Sequence, residues 1–210
     1  GLTLKYKINS STKIYGQLML DELKVSEFTA NKGWWANKFA MQLGVKSAKV
    51  FGIHNTFGFT EINLAKPYMY THRNSQRSYS HFNDALAHPL GANFIESVSR
   101  LEQQYKNFRT FIQINYARYG ADSAIGNVGN NILLSYNTRN SEYGNKILQG
   151  VNSSLLYVDA RLAYVINPKV NFCIELGYVY RNQQNAGQVN SANQITLALK
   201  TGFRNLYWDR

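Results

Sequence analysis

Hydrophobic and polar residues alternate with a period of two along most of this chain. The pattern is cleanest in residues 155–181. Leu156, Val158, Ala160, Leu162, Tyr164 and Ile166 share one face, opposite Asp159, Arg161 and Ala163. After the turn Asn167-Pro168-Lys169 the pattern resumes: Val170, Phe172, Ile174, Leu176, Tyr178 and Tyr180 oppose Asn171, Cys173, Glu175, Gly177 and Arg181. Alternate side chains of a strand point to opposite sides of its sheet, so this stretch predicts a hairpin with one oily and one polar face. Each arm is about twelve residues, roughly 40 Å long. Strands in soluble domains are nearer about five or six residues. Length, alternation and Tyr at both ends of the oily face fit strands that cross a bilayer at a tilt.

The same period predicts further strands over residues 2–8, 13–24, 34–46, 49–63, 92–105, 108–119 and 194–207. With the hairpin these make nine, and a tenth within 130–149 would change the count. Over 34–46, Trp35, Phe39, Met41, Leu43 and Val45 oppose Lys38, Gln42, Gly44 and Lys46. Over 49–63, Phe51, Ile53, Phe57 and Phe59 make the apolar side, and Asn55 is an unexplained exception among them. Connections at 9–12, 47–48, 106–107 and 167–169 are short. Those at 25–33, 64–91, 120–153 and 182–193 are long. Outer-membrane barrels sort their loops in this way.

The expectation is therefore all-β: an antiparallel transmembrane β-barrel. Single-chain bacterial barrels have even strand numbers with both ends in the periplasm, so nine strands read as the C-terminal part of a larger barrel. Residues 1–210 form one unit, with 64–91 a long extracellular or lumen-folded insert and 120–153 a long extracellular loop. The competing arrangement is a soluble barrel whose oily face fills a core. On the membrane reading, Arg at Leu162 or Ile174 costs more than Arg at Ala163.

Composition narrows the picture. The 210 residues include 15 Tyr, 11 Phe and 3 Trp but only 3 Pro and 1 Cys. No run approaches the 18 or so apolar residues of a membrane-spanning helix, which leaves a barrel open because its strands are only half apolar. The net charge of +11 suits contact with polyanions. No basic helix, zinc-finger spacing or aromatic RNA-binding strand is present, so nucleic acid is not an expected partner. Lone Cys173 excludes an internal disulfide and reads as an incidental small residue. The opening GLTLKYKI shows no signal peptide, so the start reads as mature or truncated.

Candidate chemistry concentrates in the insert, which carries Tyr70, His72, Arg73, Arg77, Tyr79, His81 and His88. Sugars stack their CH faces on aromatic rings and hydrogen-bond to hydroxyl, imidazole and guanidinium groups, so these seven are candidate glycan contacts. Arg109 and Arg161 are expected to line the lumen. The histidines lie too far apart, with too few carboxylates, to make a metal site. No nucleophile elbow, zincin helix or phosphate loop occurs, so neither an enzyme nor a cofactor is expected. Glu96, Glu102 and Glu175 read as members of a charge ladder on the polar faces.

Three pieces of the insert and the strand after it, Tyr70-Thr71-His72, Tyr79-Ser80-His81-Phe82 and His88-Pro89-Leu90-Gly91-Ala92-Asn93-Phe94, carry a resemblance. So does the closing Arg204-Asn205-Leu206-Tyr207-Trp208-Asp209. The chain resembles the Wzi-like capsule-assembly and RemB-like gliding-motility outer-membrane barrels of Bacteroidetes. That resemblance implies a barrel of about eighteen strands in the bacterial outer membrane, with loops at the cell surface. It also implies a binding and structural role in organising surface polysaccharide or serving motility. The implied partners are outer-membrane lipid, surface polysaccharide and other envelope proteins. A solute channel, or an accessory barrel of a secretion or motility complex, is the alternative.

Overall fold

The structure is a computed structural model that describes residues 1–124 and 126–202. Its strands in chain order are β1 (Leu2–Lys7), β2 (Thr12–Glu22), β3 (Lys38–Ser47), β4 (Thr56–Ala65), β5 (Ser80–His81), β6 (Asp84–Ala85), β7 (Phe94–Tyr105), β8 (Phe108–Ala121), β9 (Val151–Asn167), β10 (Phe172–Asn185) and β11 (Gln188–Lys200). Nine of them form one antiparallel sheet in the order β1-β2-β3-β4-β7-β8-β9-β10-β11, while β5 and β6 pair separately within the insert. The sheet is open, with β1 and β11 at its edges.

The nine-strand count agrees with the alternation, and the discrepancies lie at strand ends. Residues 34–37 form a turn, with Asn37 N–H donating to the Trp34 carbonyl, so β3 begins only at Lys38. Asn55 lies outside β4: it adopts a left-handed φ of 55°, and its carbonyl accepts a hydrogen bond from Gln104 N–H. Asn tolerates that backbone better than most residues, which explains the exception. The faces of β4 are the reverse of the sequence expectation. Phe57 and Phe59 pair in register with Glu102 and Arg100, which puts them on the polar face beside Glu61 and Asn63.

Residues 182–193 are the largest correction. They are a hairpin continuation of β10 into β11, joined by Ala186-Gly187 with φ of 50° and 81°. Two positive φ values make the tight turn that matches strand twist. Residues 25–33 hold a six-residue helix, α1 (Val25–Ala30), stopped by Asn31 at φ 50°. Among the described residues, no strand occurs in 130–149. The end of the expected last strand and the Arg204–Asp209 motif lie outside the described residues.

Loop lengths remain sorted in part. At one end of the sheet three of four connections are long, spanning 23–37, 66–93 and 122–150. At the other end the connections run 8–11, 48–55, 106–107 and 168–171.

Exposure runs against hydrophobicity. On β9 to β11, Leu162 is 47% exposed, Leu176 52% and Leu197 76%, while Asp159 is 4% and Cys173 2% exposed. Leu4, Leu43 and Ile62 are likewise exposed on β1, β3 and β4. The oily face is therefore not a core. Aromatic residues bracket it: Phe108 and Tyr164 pack edge to face at 5.3 Å, and Tyr116 and Tyr178 sit farther along the same face. Phe108 to Tyr116 spans nine residues of β8, roughly 26 Å of strand, with Ile112 and Ile114 between. Two polar residues on this face, Thr60 and Ser99, pair through their hydroxyls at 2.7 Å.

The polar face carries cross-linked charges. Arg161 clamps Asp159 through two hydrogen bonds of 2.8 and 2.6 Å and reaches Glu175 at 3.8 Å; Glu175 also pairs with Lys200. Ala163 packs with Val165 and Cys173 in a small buried cluster. An arginine there would overpack it, so Ala163 is not the tolerant position that alternation alone suggests.

The three long loops form a cap over one end of the polar face. Trp35 N–H donates to Glu142 O, Gly144 N–H to Lys32 O, and Tyr68 N–H to Gly129 O. Beneath them, Ala40, Ala65, Met69, Ala92, Phe94, Tyr119, Ala121 and Ile132 make the main buried cluster. Ile132 therefore serves the cap. Its alanines are small enough to let loop backbone approach the sheet closely.

Candidate functional site

The stretch His88-Pro89-Leu90-Gly91-Ala92-Asn93-Phe94 ties the insert to β7 and to the loop of residues 122–150. Asn93 is fully buried at φ 58°. Its Nδ2 donates to the carbonyls of Gly120 (2.7 Å) and Gln149 (2.8 Å), and its Oδ1 accepts from Leu148 N–H (2.7 Å). One side chain thereby satisfies three backbone groups on two other segments. Asn130 repeats the device, donating to Leu90 O and Ala92 O. Asp122 supplies its carboxylate to the N–H groups of Val128, Gly129 and Asn131. Such bonds hold an irregular cap in one shape without a large hydrophobic core.

His88 stacks on Phe94 with ring centroids 4.2 Å apart and hydrogen-bonds Glu96 at 2.9 Å. Asn63 Nδ2 lies between the two carboxylates of the floor, 3.2 Å from Glu61 and 3.4 Å from Glu96. The Tyr15 hydroxyl donates to Glu61 at 2.6 Å. His88, Phe94, Glu96, Asn63 and Glu61 bound a cavity of about 370 Å³ between the polar face and the cap, with Gln17 and Gln42 in its floor and Tyr70 and Tyr79 in its wall. That volume lies within the range of roughly 300–1,000 Å³ that ligand pockets occupy. A neighbouring cavity of about 280 Å³ shares Met19, Tyr70 and Tyr79 and adds His72, Arg77 and Asp21.

Tyr70 and Tyr79 stand between the two cavities with ring centroids 6.1 Å apart. Tyr79 is 52% exposed. Tyr70 holds a left-handed φ of 69°, a conformation that costs a non-glycine residue about 1–3 kcal/mol and collects at ligand clamps. The backbone is fixed there because Tyr79 N–H donates to Tyr70 O. Burial pushes the Tyr70 phenol above its ordinary range, and Tyr79 and Asp21 push the same way, so it remains a neutral hydroxyl. Burial also raises Tyr68, whose hydroxyl donates to Asn127 O, and lowers Lys66.

Of the nine sequence candidates, the structure brings Tyr70, His72, Arg77, Tyr79 and His88 to these two cavities. Arg73 and His81 line neither. Arg73 offers its carbonyl to the Ser135 hydroxyl, and His81 packs on Phe82 at the tip of the β5–β6 ladder. Arg109 and Arg161 lie on the polar face but away from the insert. Arg109 donates to Asn171 near the short turns, and Arg161 is held by Asp159 and Glu175. The floor residues Gln17, Glu61 and Asn63 were not among the candidates. Only strand register places them under the insert, although polar positions in alternating strands are the signal that marks them. Among the described residues, no group of three or more His, Cys, Asp or Glu could hold a metal ion.

No protein-family model matches the chain, and neither a curated protein nor a solved structure resembles it at a significant level.

Proposed function

We propose that this chain is the C-terminal part of an outer-membrane β-barrel that binds and organises cell-surface polysaccharide, a binding and structural role of the Wzi-like or RemB-like kind. The observation that carries the membrane half of this reading is the inverted exposure of the sheet. Large apolar side chains cover its open face between aromatic ends, while Lys38, Glu96 and Asp159 are buried on the other. Water would oppose that arrangement and lipid favours it, with an apolar band of about 25 Å between aromatic girdles. Hydrocarbon cannot satisfy free backbone groups, so the edges β1 and β11 need partners in a bilayer. Nine alternating strands leave β1 and β11 running in the same direction, so antiparallel closure takes an odd number of further strands. A barrel of about eighteen meets that condition.

The glycan half rests on the capped cavities: two tyrosine rings, histidines and an arginine above an amide-and-carboxylate floor. The test is fractionation with binding. The protein should band with outer membranes, resist carbonate extraction and retain surface polysaccharide from its own cells on a column. Extraction with the soluble fraction would sink the membrane reading, and a column that retains no polysaccharide would sink the glycan reading.

A further inference from the structure

Among the described residues, the polar face of β1 to β3 carries four lysines without a carboxylate partner, of which Lys46 has its ammonium 5.2 Å from the Tyr15 ring centroid. Lys7 pairs in register with Lys13, and Lys13 with Lys46, so three lysines stand side by side across three adjacent strands. Directly opposite residues of an antiparallel pair share a face, with Cβ atoms about 4.5–5.5 Å apart, and like charges there are destabilising. Lys5 adds a fourth on the same face of β1, opposite Tyr15. Beyond Lys46 the row continues through Phe59 to Arg100. Among the described residues, none of the four lysines has a carboxylate within ion-pair distance, whereas Arg100, Arg161 and Lys200 on the same face are all paired. Glu61, one level closer to the cap, is engaged by the Tyr15 hydroxyl and the Asn63 amide. Both neighbours of β2 are present in the sheet, so the repulsion around Lys13 is built into the fold and its cross-strand positions hold no acid.

Three of these lysines, Lys5, Lys13 and Lys46, line a cavity of about 300 Å³ together with Tyr15, Gln17 and Gln42, and Lys7 stands beside Lys13 in register. Gln17 and Gln42 also line the cavity under the insert, so the two spaces adjoin. The path therefore runs from the tyrosines, over two amides, to a lysine row without carboxylates.

We infer that Lys5, Lys7, Lys13 and Lys46 form an anion subsite that takes the carboxylates of an acidic saccharide chain whose sugar rings rest against Tyr70 and Tyr79. This rests on the glycan reading above and names its ligand class. The anion relieves a repulsion that the fold otherwise retains, and the glutamines hydrogen-bond the sugar hydroxyls between the two points of contact.

The experiment is titration calorimetry on the full-length protein in detergent. The probes are tetragalacturonate, a neutral maltotetraose, inorganic phosphate and a single-stranded oligonucleotide. Tetragalacturonate is expected to bind, and to weaken about tenfold or more as NaCl rises from about 0.05 to about 0.5 M. K13Q/K46Q should lose about tenfold or more of that affinity while melting no lower than wild type, because substitution removes like-charge repulsion. K169Q, a turn lysine outside the row, serves as the control and should bind as wild type. Equal binding by wild type and K13Q/K46Q would overturn the inference. So would maltotetraose matching tetragalacturonate, phosphate matching it charge for charge, or the oligonucleotide binding more tightly. Those four results leave the glycan reading standing, whereas failure of every saccharide to bind defeats both.

Discussion

The two faces of the β9–β10 hairpin invert the usual relation between side-chain chemistry and exposure. Leu162, Ile174 and Leu176 stand in the open, while Asp159, Ala163 and Cys173 are enclosed. In a water-soluble sandwich the first set would be the core. Here the enclosed set is held by a guanidinium clamp on Asp159 and by small residues that fit together, and the open set is 42–52% exposed. Burial of apolar area within the chain therefore does not account for the open face; on the membrane reading proposed above, lipid covers it.

The largest expected effect breaks this comparison directly. Leu162→Arg or Ile174→Arg should destabilise the folded protein in lipid vesicles by about 2–4 kcal/mol, read as a shift in the denaturant midpoint. Gln194→Arg, on the polar face of β11, should change stability by well under about 1 kcal/mol. Equal costs would remove the distinction between faces.

A comparable loss is expected at Asn93, but confined to the cap. Asn93→Ala removes three side-chain hydrogen bonds and leaves a left-handed backbone to a residue that tolerates it poorly, about 2–3 kcal/mol together. Limited proteolysis should then cut residues 122–150 while the sheet stays protected. Uniform loss of protection would show instead that cap and sheet melt as one unit. The same variant bears on the channel alternative: a capped scaffold passes little current in planar bilayers, and Asn93→Ala should raise it.

Smaller effects belong to binding. Tyr70→Ala and Tyr79→Ala should each weaken retention of surface polysaccharide about three- to tenfold, measured by affinity electrophoresis. Arg73→Ala should change it little, since Arg73 lines neither cavity. A reversed order would move the site to the loop tip.

Much of this was legible in the sequence, for identifiable reasons. Period-two alternation assigned the faces of β1, β3, β9 and β10 because nearly every outward position there is apolar. It failed on β4, where Phe57 and Phe59 serve the polar face and outnumber the apolar outward residues beside them. It failed at residues 182–193 because Asn and Gln suggest a loop by composition, while 182–185 pair with Ser153 to Leu156 and 188–193 pair back onto 180–185 as strand. The insert was recognisable as the aromatic, histidine-rich part of a site. Its floor was not, since Gln17, Gln42, Glu61 and Asn63 meet only through pairing of three strands. Asn93 was visible as part of a motif, but its three backbone partners are 27 to 56 residues away in sequence.

The most direct test of the central claim is the environment of the open face. Spin labels at Leu162, Ile174, Leu176 and Leu197, introduced one at a time into a Cys173→Ser background reconstituted in lipid, report contact with oxygen and with a water-soluble nickel chelate. The account predicts high oxygen and low nickel accessibility at all four, with the opposite at Gln194. High nickel accessibility at Leu162 and Leu176 would place that face in water and contradict it.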